Sequence, residues 1–222
     1  DHPDDTTEDN LLVDLGFTVS DIDGDTAAGV LRFDVDDDSP VIASQEVQLL
    51  QESFENFRET RGWQVEGEGG ATLVGDHGVV WTVNEAGVEI QTGSIGGSRA
   101  SDGSSHAELD SHDNNHDGGT TLTVLSTEVT LPTGEVTLTF DYKPRPGYVA
   151  DSDMKVTLAG ENVLLDAQAD GSIIMTPTAG LAVSQVTNSS TGWTTITLTY
   201  QSVGGTESLI FEGLGNANKI ST

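Results

Sequence analysis

No cysteine occurs in the 222-residue chain, so a disulfide framework and thiol catalysis are both excluded. Basic residues are scarce: 8 Lys plus Arg stand against 37 Asp plus Glu, for a formal net charge of −29. So acidic a surface repels phosphate, which argues against nucleic acid and anionic membranes as partners. No stretch approaches the ~20 consecutive apolar residues of a spanning helix, so membrane insertion is not expected. Aromatics make up 5 % of the chain, and there are 2 Met. No signal peptide opens the chain, and its start reads as a cut inside a longer protein. The length suits one large domain or one and a half ordinary ones, enough to bury a full core.

What is abundant is acid, glycine, threonine and valine. Like charges crowded in one body repel unless something balances them. Bulk salt is one answer. The other is bound hard cations, chiefly Ca²⁺, which takes six to eight oxygen ligands from Asp, Asn, Glu and carbonyl groups. The acids are clustered, which favours ions over a merely solvated surface. Asp21, Asp23 and Asp25 surround Gly24, and Asp34, Asp36, Asp37 and Asp38 precede Ser39-Pro40. Asp110, Asp113 and Asp117 lie among His112, Asn114, Asn115 and His116, while Asp151 and Asp153 follow Pro146-Gly147.

The residue pattern between these clusters is that of β-strands. Val136, Leu138, Phe140 and Tyr142 alternate with Thr137, Thr139 and Asp141, and Ile196, Leu198 and Tyr200 alternate with Thr195, Thr197 and Thr199. Leu31, Phe33 and Val35 do the same with Arg32 and Asp34. Turn dipeptides such as Asp102-Gly103 and Asp170-Gly171 punctuate the chain. An all-β, antiparallel sandwich or jelly roll follows, each strand burying one face. Strand candidates 11–20 and 28–36 precede a boundary near Asp38-Ser39-Pro40, and two strands cannot form a core alone. Val47, Leu50, Phe54 and Phe57 would line one side of a helix, but the run Val47-Gln48-Leu49-Leu50 equally fits a strand, and that strand, with a short helical turn after Phe54, is preferred. Pro132-Thr133-Gly134 reads as a hairpin turn between strands 121–129 and 135–142.

The run Asp1-His2-Pro3, Phe17 through Ala27 with its Asp21-Ile22-Asp23-Gly24-Asp25-Thr26-Ala27 turn, and Val35 through Pro40 resembles the closing half of an Ig-like repeat of giant bacterial RTX adhesins. A second set of motifs is similar to a carbohydrate-binding-module-like jelly roll of the same adhesins. These are Glu52-Ser53-Phe54-Glu55, Gly62-Trp63-Gln64-Val65, Gly87-Val88-Glu89-Ile90, His106 through Ser111, Phe140-Asp141-Tyr142 with Arg145-Pro146-Gly147, and Gly192-Trp193-Thr194-Thr195. The resemblance implies a partial Ig-like module over 1–42 and a β-sandwich over 43–222. It also implies type I secretion to the bacterial cell surface and neighbouring adhesin domains as partners. The chain departs from the family after Gly213, where it runs Leu214-Gly215-Asn216-Ala217-Asn218-Lys219; the expected closing strand with an acidic residue is either absent or lies beyond Thr222.

Each cluster has its own reading. Asp21, Asp23 and Asp25 point to a structural Ca²⁺ in a turn; position twelve of an EF-hand loop would be Arg32, not Glu, so this is no EF-hand. Asp36 and Asp38 would let Ca²⁺ stiffen the boundary. The resemblance implies a buried Ca²⁺ near Glu55, with Asp141 a candidate second ligand. If the hairpin at 132–134 forms, loops 111–119 and 143–153 share one edge of the sandwich. They would then gather Asp110, Asp113, Asn114, Asn115, Asp117, Arg145, Asp151 and Asp153 into a Ca²⁺-dependent glycan pocket. Trp63, Trp81 and Trp193 are either sugar-stacking platforms or core packing.

Three functions suit such a chain unequally. The first is a calcium-dependent, lectin-like glycan-binding module of an adhesin. The second is a calcium-rigidified spacer that projects other binding domains. The third is an enzyme such as a glycoside hydrolase. Carboxylate pairs arise by chance among 37 acids, and no Gly-x-Ser-x-Gly, His-Glu-x-x-His or P-loop motif occurs, so catalysis is not expected.

Overall fold

The computed structural model describes residues 11–35, 47–57, 62–95, 97–110 and 122–215. Among these residues there is no α-helix, and only short 3₁₀ turns interrupt the strands. The protein is all-β with antiparallel sheets, as the alternation requires. Among the described residues no helix is long and apolar enough to cross a membrane. The chain divides into two compact units, residues 1–47 and residues 48–222.

The described part of the first unit is a hairpin of β1 (Leu11–Ser20) and β2 (Thr26–Val35). Its register, from Leu11↔Val35 to Ser20↔Thr26, puts Val13, Leu15, Phe17 and Val19 on one face with Phe33, Leu31, Gly29 and Ala27. Asp14 and Arg32 sit opposite each other on the other face, in a bidentate pair at 2.7 and 2.8 Å. Leu15, Phe17, Val19, Leu31 and Phe33 remain exposed.

In the second unit the strands are β3 (Gly62–Glu66), β4 (Thr72–Val74), β5 (Val80–Val83), β6 (Val88–Thr92), β7 (Ser105–Glu108), β8 (Val124–Tyr142), β9 (Asp153–Leu158), β10 (Glu161–Ala167), β11 (Ile173–Pro177), β12 (Leu181–Thr187) and β13 (Thr194–Gly215). The large sheet runs β11-β10-β9-β13-β8-β5-β4, with β12 also on β13; the small one runs β3-β6-β7.

Its spine is the ribbon of β8 and β13, paired from Val124↔Glu212 to Tyr142↔Thr194. The ladder is interrupted at Pro132 and Gly204, where proline has no N–H to donate. Below that point the ribbon buries odd-numbered residues, Leu125, Val129, Leu131 and Leu209. Above it, the buried residues are even-numbered, Tyr142, Ile196 and Leu198. Gly134, Gly204 and Gly205 adopt φ of +117°, +85° and +121°, which breaks the two-residue period. The ring centroids of Phe140 and Phe211 lie 5.3 Å apart. Phe211 pairs with Leu125, so on a straight ribbon these rings would be separated by about 50 Å at roughly 3.3 Å per residue. The ribbon therefore folds over, and its two halves face each other across the core.

This overturns the hairpin expected at Pro132-Thr133-Gly134. Those residues are a corner inside one 19-residue strand. The chain does change direction at this triplet, but it bends together with β13 instead of pairing with itself. The preferred strand at 47–50 is also absent; of residues 47–57 only the short turn Glu55–Phe57, expected after Phe54, is regular. The reason is local competition for the backbone. Glu52 accepts the N–H groups of Ser53 and Phe54 at 3.1 and 2.8 Å, and Asp76 accepts those of Glu55 and Asn56, both at 2.9 Å.

The core gathers Trp81, Val83, Val88, Ile90, Leu125, Val156, Val163, Leu165, Ile196, Leu198 and Leu209. Trp81 is 2 % exposed and lies between Phe54 and Phe211, at centroid distances of 6.4 and 6.2 Å. Its indole N–H donates to Glu52 at 2.8 Å. Trp81 is thus core packing and not a sugar platform.

Candidate functional site

The small sheet carries an unusual density of polar groups. In β6, Val88 and Ile90 point into the core, so the intervening Glu89 and Gln91 point to the opposite face. Cross-strand register builds two rows there. Trp63, Gln91 and His106 form one row; Val65, Glu89 and Glu108 form the next. Glu89 is 1 % exposed and Gln91 3 %. Burying these groups is tolerable only because they satisfy one another. The Gln91 amide nitrogen donates to Glu89 Oε1 at 2.8 Å and to Glu108 Oε2.

Arg145 completes this arrangement from the turn that follows β8. The turn is held by Tyr148 N–H donating to the Arg145 carbonyl at 3.0 Å, by Arg145 N–H donating to Ser152 Oγ at 3.1 Å, and by the Tyr142 hydroxyl donating to the Ser152 carbonyl. The Arg145 guanidinium donates to Glu108 Oε1 at 2.5 Å and lies 5.5 Å from the Tyr148 ring centroid. Trp193 meets His106 edge-on at 5.8 Å and donates its indole N–H to the Arg99 carbonyl at 2.8 Å. Lys143 lies over the Trp193 ring at 6.0 Å. Trp63 and Tyr148 are 41 % and 61 % exposed, so aromatic surface is available beside the buried polar groups.

The electrostatics follow from crowding. Burial, and then the charge of Glu89, push the Glu108 carboxyl up to about 7, against the opposing pull of Arg145. Burial, then the charge of Lys143, lower the His106 imidazole, whose buried Nδ1 has no hydrogen-bond partner among the described residues. Tyr142 is raised by burial first, and then by the charges of Asp153 and Asp166. A carboxyl whose folded value lies above its ordinary 4.5 binds an extra proton in the folded state between 4.5 and about 7. Its contribution to stability therefore falls as the pH rises through that window. Thermal melts at stepped pH check this: wild type loses stability over that range, and Glu108→Gln loses less.

The arrangement offers hydrogen-bond acceptors, a guanidinium and two flanking indoles. Glu89 and Glu108 are in hydrogen-bonding contact. That is closer than the roughly 5 Å or more that separates the carboxyls of two-carboxylate glycoside hydrolysis.

The residues singled out from the sequence are distributed as follows. Arg145 and Trp63 both belong to this site. Glu55 accepts the N–H groups of Ser104 and Ser105 and the Ser104 hydroxyl, each at 2.7 Å. Asp141 is exposed and accepts the Thr195 hydroxyl at 2.6 Å. These two carboxylates have separate hydrogen-bond partners. Asp110 is exposed and bridges to Leu122, and Asp151 is exposed at the end of a 3₁₀ turn. Asp153 is 4 % exposed and accepts the Ala167 N–H at 3.0 Å. Asp36, Asp38, Asp113, Asn114, Asn115 and Asp117 lie outside the described residues.

Both ends of β8 do approach β7, though not by the route expected. Thr123 N–H donates to the Leu109 carbonyl at 2.8 Å, and Arg145 reaches Glu108. Among the described residues, the carboxylate oxygens that come within 4.8 Å of one another as a set of three are those of Asp21, Asp23 and Asp25. All three are exposed, and such groups are common without an ion. Hydrogen bonding with Asp23 is the largest influence holding the Asp21 carboxyl below its ordinary value. Asp25 N–H donates to Asp21 Oδ1 at 2.9 Å.

Sequence reasoning did not assign a role to Glu89, Gln91, His106 or Glu108. Their signal was the interruption of two strand patterns by acid and amide, Val-Glu-Ile-Gln and His-Ala-Glu. A half-solvated strand has the same pattern. Comparison with known proteins finds no matching family model, no similar curated protein and no similar solved structure.

Proposed function

We propose that residues 48–222 form a lectin-like glycan-binding module of a bacterial cell-surface adhesin, acting outside the cell with calcium as its cation. The observation that supports this most is the row Trp63–Gln91–His106, flanked by Trp193 and by the Glu108–Arg145 pair. A pyranose has an apolar C–H face and a polar rim. An exposed indole suits the first, and carboxylate, amide and guanidinium groups suit the second. Calcium enters the reading through the acid-rich segment 110–117, which follows β7 in the sequence.

A glycan array probed with and without EGTA tests the proposal. Wild type gives a signal that chelation removes, and Trp63→Ala lowers affinity by about tenfold or more with an unchanged melting temperature. Equal binding by Trp63→Ala takes the small sheet out of the site. The Asp21–Asp23–Asp25 turn supports a second reading, a spacer stiffened by calcium. A flat array together with a large calcium-dependent rise in melting temperature favours it.

A further inference from the structure

The charge balance of the small sheet narrows the ligand class, on the premise that this sheet is the glycan site. Two carboxyls, Glu89 and Glu108, lie side by side at 1 % overall and 14 % side-chain exposure. They face one guanidinium, Arg145, already bonded to Glu108. His106 stands beside them with Lys143 next to it. β3 contributes Trp63 and Val65, which carry no charge. We propose that this site takes an uncharged sugar and rejects uronate, sialate and sulfate sugars, with Glu108 as the residue that sets the choice.

The physical argument is one of crowding and availability. An incoming carboxylate or sulfate would bring a further negative charge to two crowded acids where water is largely excluded. The usual partner for such an anion is a guanidinium, but Glu108 occupies this one and cancels its charge. The chain as a whole, at −29, adds long-range repulsion. A neutral hydroxyl meets none of these penalties. It can donate to the edge of Glu108 and accept from Arg145. Among the described residues Glu108 is the guanidinium's only hydrogen-bond partner, so donors remain for a ligand. Arg145 is also partly open, with 35 % of its side chain exposed, beside the exposed rings of Trp63 and Tyr148. Glu89 lies beneath and acts as a positioning residue, holding Gln91 and Glu108 in place.

The test is a matched glycan panel in which neutral oligosaccharides are paired with uronate-bearing and sulfated counterparts of the same linkage. It is run on wild type and on Glu108→Gln, which is close in shape and releases Arg145. Wild type is expected to prefer the neutral member by about tenfold or more. In Glu108→Gln that ratio falls by about tenfold, because the acidic members gain a free guanidinium. Glu89→Gln, which removes one charge and leaves the Arg145 pair intact, narrows the ratio less. Wild-type binding of acidic glycans as strong as that of neutral ones overturns the proposal while leaving the glycan reading intact. So does a ratio unmoved in Glu108→Gln, with folding confirmed by circular dichroism. Silence across neutral and acidic members alike overturns the glycan reading itself, and this inference with it.

Discussion

Replacing Gly204 and Gly205 together with alanine is expected to destabilise the second unit by about 2–6 kcal/mol, on the basis of roughly 1–3 kcal/mol for each strained position. Both residues hold positive φ, +85° and +121°, where a side chain is penalised. At Gly204 a Cβ would also stand 2.9 Å from Thr133 Oγ1, on the opposing strand of the corner. The chain cannot relax toward ordinary extended geometry without straightening the ribbon. Straightening would separate Phe140 from Phe211 and pull Leu125 and Leu209 away from Ile196 and Leu198, which share one core. Urea unfolding measures the effect as a drop in midpoint. A double variant with the wild-type midpoint would show that the corner forms without help from these glycines.

Asp76→Ala is expected to cost about 3–5 kcal/mol, and Asp76→Asn distinctly less. Asp76 is 8 % exposed and accepts the N–H groups of Glu55 and Asn56 at 2.9 Å, as well as the Ser53 hydroxyl. Removing the acceptor leaves part-buried donors without partners, at about 1–3 kcal/mol each. The loss spreads, because segment 52–57 also brings Glu52 to the Trp81 indole and Glu55 to residues 104–105. Burial alone would raise the Asp76 carboxyl. The hydrogen bonds from Ser53, Glu55 and Asn56 outweigh it and hold the carboxyl below its ordinary 3.8. The stabilisation from a lowered carboxyl is fully present above 3.8 and is lost as the pH falls through the folded value. Acid titration of the melting temperature should therefore show a shallower acid limb in Asp76→Asn than in wild type. Parallel limbs would mean that Asp76 is not a source of acid sensitivity.

These two cases mark how far the residues alone could be read. The alternation in Val136–Tyr142 and Ile196–Tyr200 identified strands correctly, and the acid-rich turn at 21–25 joins the strands expected around it. The same reading failed at Pro132-Thr133-Gly134. A turn signal specifies that the chain bends, and the partner strand decides whether the bend is a hairpin or a corner. Gly204-Gly205 opposite it was the missing half of that information. For the site, Arg145 was singled out for a pocket on the loops at 111–119 and 143–153, and Trp63 as a sugar-stacking platform. In the structure Trp63 stands on the small sheet beside Gln91, and Arg145 reaches Glu108 of that sheet from the 143–153 loop.

Two-residue alternation, the absence of thiols and the excess of acid are properties of the chain read in one dimension. By themselves they determined an all-β protein with no disulfide framework. What each carboxylate does was decided in three dimensions. Glu55 is answered by an amide 49 residues away, and Glu108 by a guanidinium 37 residues away. Whether a buried acid meets an N–H group, a cation or another acid depends on which distant segments the core brings together, and no local pattern encodes that.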